Sequence, residues 1–355
     1  VTFGAHHYVP VLKVKRGEKK ALSLVLPVLR ARISPLLEIV ERKPDKPGTV
    51  AAHLDNAFKG LAASVSSYAR CFLDAREIAP DGPAAALEVF RRATSAGIVF
   101  TPVTGILRTA DVAAALGHQQ HGLALRLTRE EFESGNLNRS LQAFMKQHGL
   151  TPEGTDLIID LGAVDEMIVD GVAALTAAFL SDVPDHPRWR TFTVSACAFP
   201  MSMGVVLRHS HNRVERAEWL AWRDNLHERR TSLARLPTFS DCAIQYPKGV
   251  EGFDPRIMQM SASIRYAVLD NWLLIKGEST RVTRPGVQFP ALATRLVYGS
   301  LRSSFFGPGH CEGCKSMKAA ADRADGFGSP EAWRRLGTIH HISLVIEGLG
   351  ALSWP

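Results

Sequence analysis

The stretch YVPVLKVKRGEKKALSLVLPVLRARISPLLEIV, residues 8–40, decides the fold. It holds two short apolar runs, 8–15 and 33–40, each carrying charge near its end. Between them, over 17–30, Ala21, Leu22, Leu24, Val25 and Leu29 recur at near-helical spacing despite Pro27. Two strand-length runs joined by an amphipathic helix make a parallel βαβ unit, because parallel neighbours need a long crossover. The same shape returns at 71–78, 98–104, 123–128, 157–161, 192–199 and 238–246. Between these runs the apolar spacing predicts helices over 50–69, 83–95, 109–118, 129–148, 164–180 and 213–230, and a polar, proline-containing loop over 41–48. Eight units of this kind predict an α/β protein built as a (β/α)8 TIM-like barrel, whose sites lie at the C-terminal ends of the strands.

The rhythm stops after the eighth run. Residues 261–269 and 272–276 alternate apolar and polar side chains around Asp270-Asn271, which predicts a β-hairpin. Residues 288–302 read as helix, and a small helical extension containing Cys and His follows. The expected division is a barrel over 1–250 and, over 251–355, the hairpin plus a helical tail packed on the barrel. A chain of 355 residues has room for one large barrel and such an addition. No segment approaches the run of about 18 apolar residues that a membrane span needs. The sequence opens at Val1 without a basic-then-apolar leader, so a cytoplasmic protein lacking its start residue is expected. Five cysteines, an odd number, argue against a disulfide framework.

The net charge of +7 is unevenly spread. Residues 13–46 carry ten Lys and Arg against four acids, and residues 208–235 carry seven Arg against four acids. Such blocks favour polyanionic partners, so nucleic acid enters as one reading, beside the plainer one of solvated surface.

The polar residues in or at the ends of the runs are Lys13, Lys15, Glu38, Asp74, Arg76, Thr101, Thr104, Arg126, Asp160, Ser195, Asp241 and Tyr246. Residues two apart in a strand share a face, so Lys13 pairs with Lys15 in direction and Asp74 with Arg76. Two arrangements compete. In one, Glu38, Asp74, Asp160 and Asp241 hold hard cations such as Mg2+ while Lys13, Lys15 and Arg126 neutralise a phosphate, which makes a phosphodiester or nucleotide enzyme. In that arrangement these seven are the catalytic candidates, and Arg76, Ser195, Tyr246 and Arg265 the ligand-binding ones. In the other, the same charges form a salt-bridge lattice that stabilises barrel closure. No phosphate-binding glycine loop, nucleophile elbow or His-Glu-x-x-His helix is present to decide between them. His209 and His211, after the seventh run, could act as acid or base or lie idle in a loop.

Near the C-terminus, His310-Cys311-Glu312-Gly313-Cys314 joins a Cys-x-x-Cys pair to a histidine, and His340-His341 follows. Thiolates and imidazoles in a set of four suit zinc, and Gly313 suits a tight turn between the cysteines. The expected ligands of a structural zinc are Cys311, Cys314 and one or two of His310, His340 and His341. His340 and His341 do not serve together, because neighbouring side chains point apart. An unmetallated thiol pair is the alternative.

The chain resembles the phage and bacterial beta family proteins. The likeness rests on Tyr8-Val-Pro-Val-Leu-Lys-Val-Lys-Arg-Gly-Glu18 with Ala21-Leu22, on Ile33-Ser-Pro-Leu-Leu-Glu-Ile39, on Ser263-Ile-Arg-Tyr266 before a tryptophan-bearing strand, and on Trp333-Arg with His340-His341-Ile342. The resemblance implies a setting: a protein that protects a host from a toxic protein encoded beside it, among antiphage-defence genes. It implies a toxin or defence partner protein, and it brings no catalytic residues. A barrel that binds a phosphorylated small molecule, a noncatalytic scaffold that binds a partner protein, and a nucleic-acid binder are the three expectations carried forward.

Overall fold

The eight apolar runs pair side by side in sequence order and close on themselves. The structure is a computed structural model that describes residues 2–42, 48–248, 260–323 and 328–354. Residues 43–47 of the expected loop, with Lys43, Asp45 and Lys46 of the basic segment, and the division at 250/251 lie outside the described residues. The strands are β1 (Tyr8–Lys13), β2 (Leu36–Glu38), β3 (Cys71–Asp74), β4 (Phe100–Thr104), β5 (Leu123–Thr128), β6 (Thr155–Ala163), β7 (Thr191–Cys197), β8 (His211–Glu215), β9 (Thr238–Asp241), β10 (Ser261–Val268) and β11 (Asn271–Ser279). The closed parallel barrel runs β1-β2-β3-β4-β5-β6-β7-β9, and β10-β11-β8 form a separate three-stranded antiparallel sheet.

The helices between strands are α1 (Arg16–Leu24), α2 (Pro27–Arg30), α3 (Val50–Phe58), α4 (Leu61–Val65), α5 (Pro83–Ser95), α6 (Val112–Leu116), α7 (Arg129–Glu133), α8 (Leu137–Gln147) and α9 (Val169–Asp182). Then come α10 (Ala217–Leu220), which continues in wider π-helical turns over Ala221–His227, and α11 (Pro285–Val297), α12 (Glu312–Ala321) and α13 (Pro330–Ala351). Leu12, Leu37, Leu73, Leu125, Leu157, Ile159, Phe192 and Phe239 point outward into the layer shared with these helices. Val9, Val11, Leu36, Phe72, Val103, Ala124 and Ile158 alternate inward and fill the middle of the barrel.

Several helices differ from the sequence expectation for local reasons. The first crossover breaks at Val25 and Leu26, because Pro27 disfavours helix in the residue before it, and Pro27 then opens α2. The segment 50–69 splits at Gly60, whose φ of 72° no helix accommodates. Residues 213–215, the start of the helix expected over 213–230, are strand and belong to β8: His211, Asn212 and Arg213 are exposed on an edge, and the pairing of β8 with β11 recruits them. The hairpin turn is Leu269-Asp270, one residue earlier than the alternation suggests, with Val268 paired to Asn271.

The chain's end builds barrel wall. α13 packs on α1 and β1 on one side, and on the other Gly348 lies against Trp219 of α10, where an added Cβ would sit 3.2 Å from the indole. It therefore fills the place of the eighth outer helix, and the hairpin, α11 and α12 are an insertion before it. Its residues from Ala332 to Ile346 are buried almost without interruption.

The N-terminal end of the barrel is plugged by Asp156, fully buried at the start of β6. It accepts from Arg70 Nη1 at 2.8 Å, Arg190 Nε at 3.0 Å and Thr191 Oγ1 at 2.6 Å, while the Arg70 guanidinium lies over the Phe72 ring. Removing one partner of such a set leaves buried charge uncompensated. Asp156→Ala is expected to lower the unfolding free energy by about 3–5 kcal/mol, read as a lower urea midpoint at unchanged slope; an unchanged midpoint would show that the plug contributes nothing.

Candidate functional site

The opposite, C-terminal end carries the charged residues that the strand pattern places there. Arg126 is two residues beyond Ala124 on β5, so it shares the inward face, and it is buried. Its guanidinium touches three carboxylates from three strands. Nη1 donates to Glu38 Oε1 at 2.7 Å and to Asp74 Oδ2 at 2.9 Å, and Nε donates to Asp160 Oδ2 at 2.9 Å. The remaining oxygens are also taken. Lys13 Nζ is 2.7 Å from Glu38 Oε2, and Arg108 Nη1 and the Arg76 amide reach Asp74 Oδ1 at 2.7 and 2.9 Å. Gly162, at φ 67°, turns its amide back onto Asp160 Oδ1 at 2.9 Å.

Each carboxylate oxygen of Glu38, Asp74 and Asp160 thus has a donor. Burial alone would raise the acids, but Arg108 and Arg126 outweigh it and hold Asp74 well below the usual carboxylate range. In the same way Arg126 and Lys13 overcome the burial of Glu38 and lower it. Burial would also weaken the charge of Arg126, yet Asp160, Glu38 and Asp74 together raise its pKa well above the ordinary value. Arg108, and Asp111 beyond it, lie in the loop after β4, outside the runs, and the strand pattern does not find them. Their signal in the sequence is the Arg-x-x-Asp spacing, with Thr104 Oγ1 donating to Asp111 Oδ1 at 2.6 Å.

Above this floor opens a cleft of about 510 Å3. Glu38, Arg126 and Asp160 form its base, and Arg76, Glu77, Arg129, Glu130, Asp165, Glu166, Met201, Tyr246 and Lys248 line its sides. Six carboxylates face four cations there, in a chain whose net charge is +7. Arg129 is engaged with the carbonyls of Leu161 and Ala163, at 2.6 and 2.9 Å.

Other expected residues lie elsewhere. Asp241 does not join the ring: it shares the outward face of β9 with Phe239, beneath α13. There it accepts from Tyr8 Oη at 2.5 Å, His341 Nε2 at 2.8 Å and the Ala243 amide at 2.9 Å. The error is one of parity, since a strand position one residue off faces the other side. Lys15 is exposed past the end of β1. Ser195 points into the barrel below the cleft, buried, its hydroxyl without a hydrogen-bond partner and with no base to activate it among the described residues. Arg265 donates to the Ile244 carbonyl at 2.8 Å and lies over the Phe199 ring, where burial pushes its pKa down to about 9. Thr101 lies at the opposite end, 3.3 Å from Arg70. His209 is held by Glu278 at 2.9 Å on the added sheet, and His211 is in β8.

Much of the arginine block is engaged within the fold, while Arg208, Arg213 and Arg229 remain exposed. Arg216 is buried, Arg223 pairs with Asp224 and Asp270, Arg213 reaches Ser304, and Arg235 binds the Trp189 carbonyl. It forms no free basic stripe among the described residues.

The Cys and His residues of the tail do assemble. Cys314 Sγ is 3.3 Å and Cys311 Sγ 4.0 Å from His340 Nδ1, and His310 lies close by. His341, the neighbour of His340, faces Asp241 instead.

A depressed carboxylate contributes stability that is present above its unfolded pKa and lost as pH falls through the folded one. Glu38 and Asp74 therefore predict that the protein loses stability on acidification below about pH 4. Arg126→Met should cost about 3–5 kcal/mol near neutrality. That deficit should shrink as pH falls from neutrality toward about 4, because burial raises the acids left without Arg126 and they take up protons before the unfolded chain does, measured by urea unfolding across pH. A deficit independent of pH would refute the lattice.

The family model described as "Beta protein" matches residues 8–347. Among solved structures, the chain is similar to triosephosphate isomerase from Bartonella henselae, at 12% identity and a TM-score of 0.27, over 66% of this chain and 92% of that one. The barrel assignment rests on the strand pairing itself, not on that likeness. No curated protein matches the chain. From its first strand almost to its last turn of helix, the chain belongs to the beta protein family.

Proposed function

We propose that this protein acts by binding rather than by turning over a substrate. The mouth cleft recognises a basic segment of a partner protein, in the toxin-protection or antiphage-defence setting that the family resemblance implies. The observation that supports this reading is the ion-pair lattice below the cleft. A general acid or base needs a pKa near the working pH, and a divalent cation needs carboxylates whose charge is not already balanced by neighbouring cations. Glu38 and Asp74 are held ionised by their cations, and Arg126 occupies the point where a Mg2+ ion would have to sit. The described lining contains no histidine or cysteine. What the rim does offer is Glu77, Glu130, Asp165 and Glu166 beside exposed Met201 and half-buried Tyr246, a surface that suits a cationic peptide.

A phosphorylated small molecule is the second reading, favoured by Arg76 and Lys248, which line the cleft and whose side chains have no partner among the described residues. A nucleic acid has less support, because Arg213, Arg216, Arg223 and Arg235 of the arginine block are engaged within the fold.

Fluorescence anisotropy with a labelled lysine-rich peptide, and calorimetry with inorganic phosphate, separate the two. The peptide is expected to bind saturably and to weaken at least about tenfold in Glu130→Lys/Glu166→Lys, with a steep salt dependence. Phosphate binding that disappears in Arg76→Ala, with no peptide binding, would overturn the proposal in favour of the anionic ligand.

A further inference from the structure

We propose that His310, Cys311, Cys314 and His340 hold a structural zinc ion that fastens the inserted hairpin module to the helix closing the barrel. Cys311 caps the N-terminus of α12 and Cys314 lies in its first turn, while His340 comes 26 residues later, midway along α13. Zinc bonds of about 2.3 Å to sulfur and about 2.0 Å to nitrogen at a tetrahedral angle place S and N about 3.5 Å apart. The two sulfurs lie 3.3 and 4.0 Å from His340 Nδ1, on either side of that value. Ligand atoms of His310, Cys311 and His340 lie within 4.8 Å of one another, and Cys314 joins this set through His340 and the turn it shares with Cys311.

Both imidazoles are oriented as ligands are. His340 Nε2 is 2.8 Å from the Ala267 carbonyl, so it carries the proton and leaves the Nδ1 lone pair toward the sulfurs. His310 Nδ1 is 3.2 Å from the Glu347 carboxylate, and its Nε2 is buried with no hydrogen-bond partner. A buried ring nitrogen in that state is costly unless it ligates something. The sulfurs have their own donors: the Cys314 amide is 3.3 Å from Cys311 Sγ, and Tyr266 Oη is 3.3 Å from Cys314 Sγ. The Tyr266 ring also stacks on His340 with centroids 3.9 Å apart.

Gly313 explains how the two helices come so near. A Cβ there would sit 2.5 Å from the Leu336 carbonyl oxygen and 3.2 Å from the His340 amide nitrogen, both on α13. Its role is this close approach, rather than a turn of unusual φ. Two thiolates and two imidazoles, all buried, are a donor set for tetrahedral zinc and leave no open position for substrate. The burial also disfavours a redox couple, which must be reached by a partner thiol. Binding sends the two thiol protons to solvent.

Full-length protein prepared without chelator should contain close to one equivalent of zinc by mass spectrometry. Refolding with Co2+ should give the d–d bands and thiolate charge-transfer absorption of a tetrahedral site with two sulfurs. Cys311→Ser/Cys314→Ser and His340→Ala should lose the metal, and His341→Ala should keep it. Wild-type protein that takes up neither metal would overturn the proposal, as would a Cys311–Cys314 disulfide in the isolated protein or full zinc retention in the double-serine variant. The cobalt spectrum is read on wild type, so a variant that fails to fold does not blunt the test.

Discussion

One guanidinium sets the terms for the mouth of this barrel. Arg126 gathers Glu38, Asp74 and Asp160 from strands β2, β3 and β6, and Lys13 and Arg108 complete the charge balance. Three carboxylates crowded at one end of a parallel barrel would repel each other strongly in a low dielectric. A cation with a rigid planar fork can bond all three at once, which a lysine ammonium cannot do with the same geometry. Burial makes the arrangement all-or-none, since any member left alone is an uncompensated charge. The floor is therefore a mutually dependent set of ion pairs, and the remaining charged side chains of the cleft stand around its rim.

A second constraint comes from the chain's end. α13 completes the helical ring, so the insertion that precedes it must return the chain to the right place on the barrel wall. Two adjacent histidines show how this is achieved. His341 bonds Asp241 through the outer face of β9, and His340 faces the Cys311–Cys314 turn of α12. One turn of one helix thus joins the barrel to the inserted module, with Trp272 of the added sheet stacked on His341 at 4.8 Å between ring centroids.

The barrel was legible because its signal is repeated eight times and each repeat needs only local pattern: an apolar run, a charged end, a crossover. The polar ends of Lys13, Glu38, Asp74, Arg126 and Asp160 were legible for the same reason, as was the Cys-x-x-Cys with its histidines. What escaped depends on contacts far apart in sequence. β8, with Val214 as its one aliphatic residue, has no pattern of its own and becomes strand by pairing with β11. Asp241 looks like a mouth residue until the register of β9 against β1 is known. Arg108 belongs to the lattice through a loop whose path no periodicity reports. Whether the ring of charge was a metal site or a salt lattice could not be read from residue types, because both use the same carboxylates and differ only in where Arg126 points.

That difference can be seen directly in crystals grown with Mn2+, through an anomalous difference map at the barrel mouth. The expected map shows ordered guanidinium density for Arg126 in contact with Glu38, Asp74 and Asp160, and no manganese among them. A manganese peak bridging those carboxylates, with Arg126 displaced, would contradict it and return the mouth to metal-dependent catalysis.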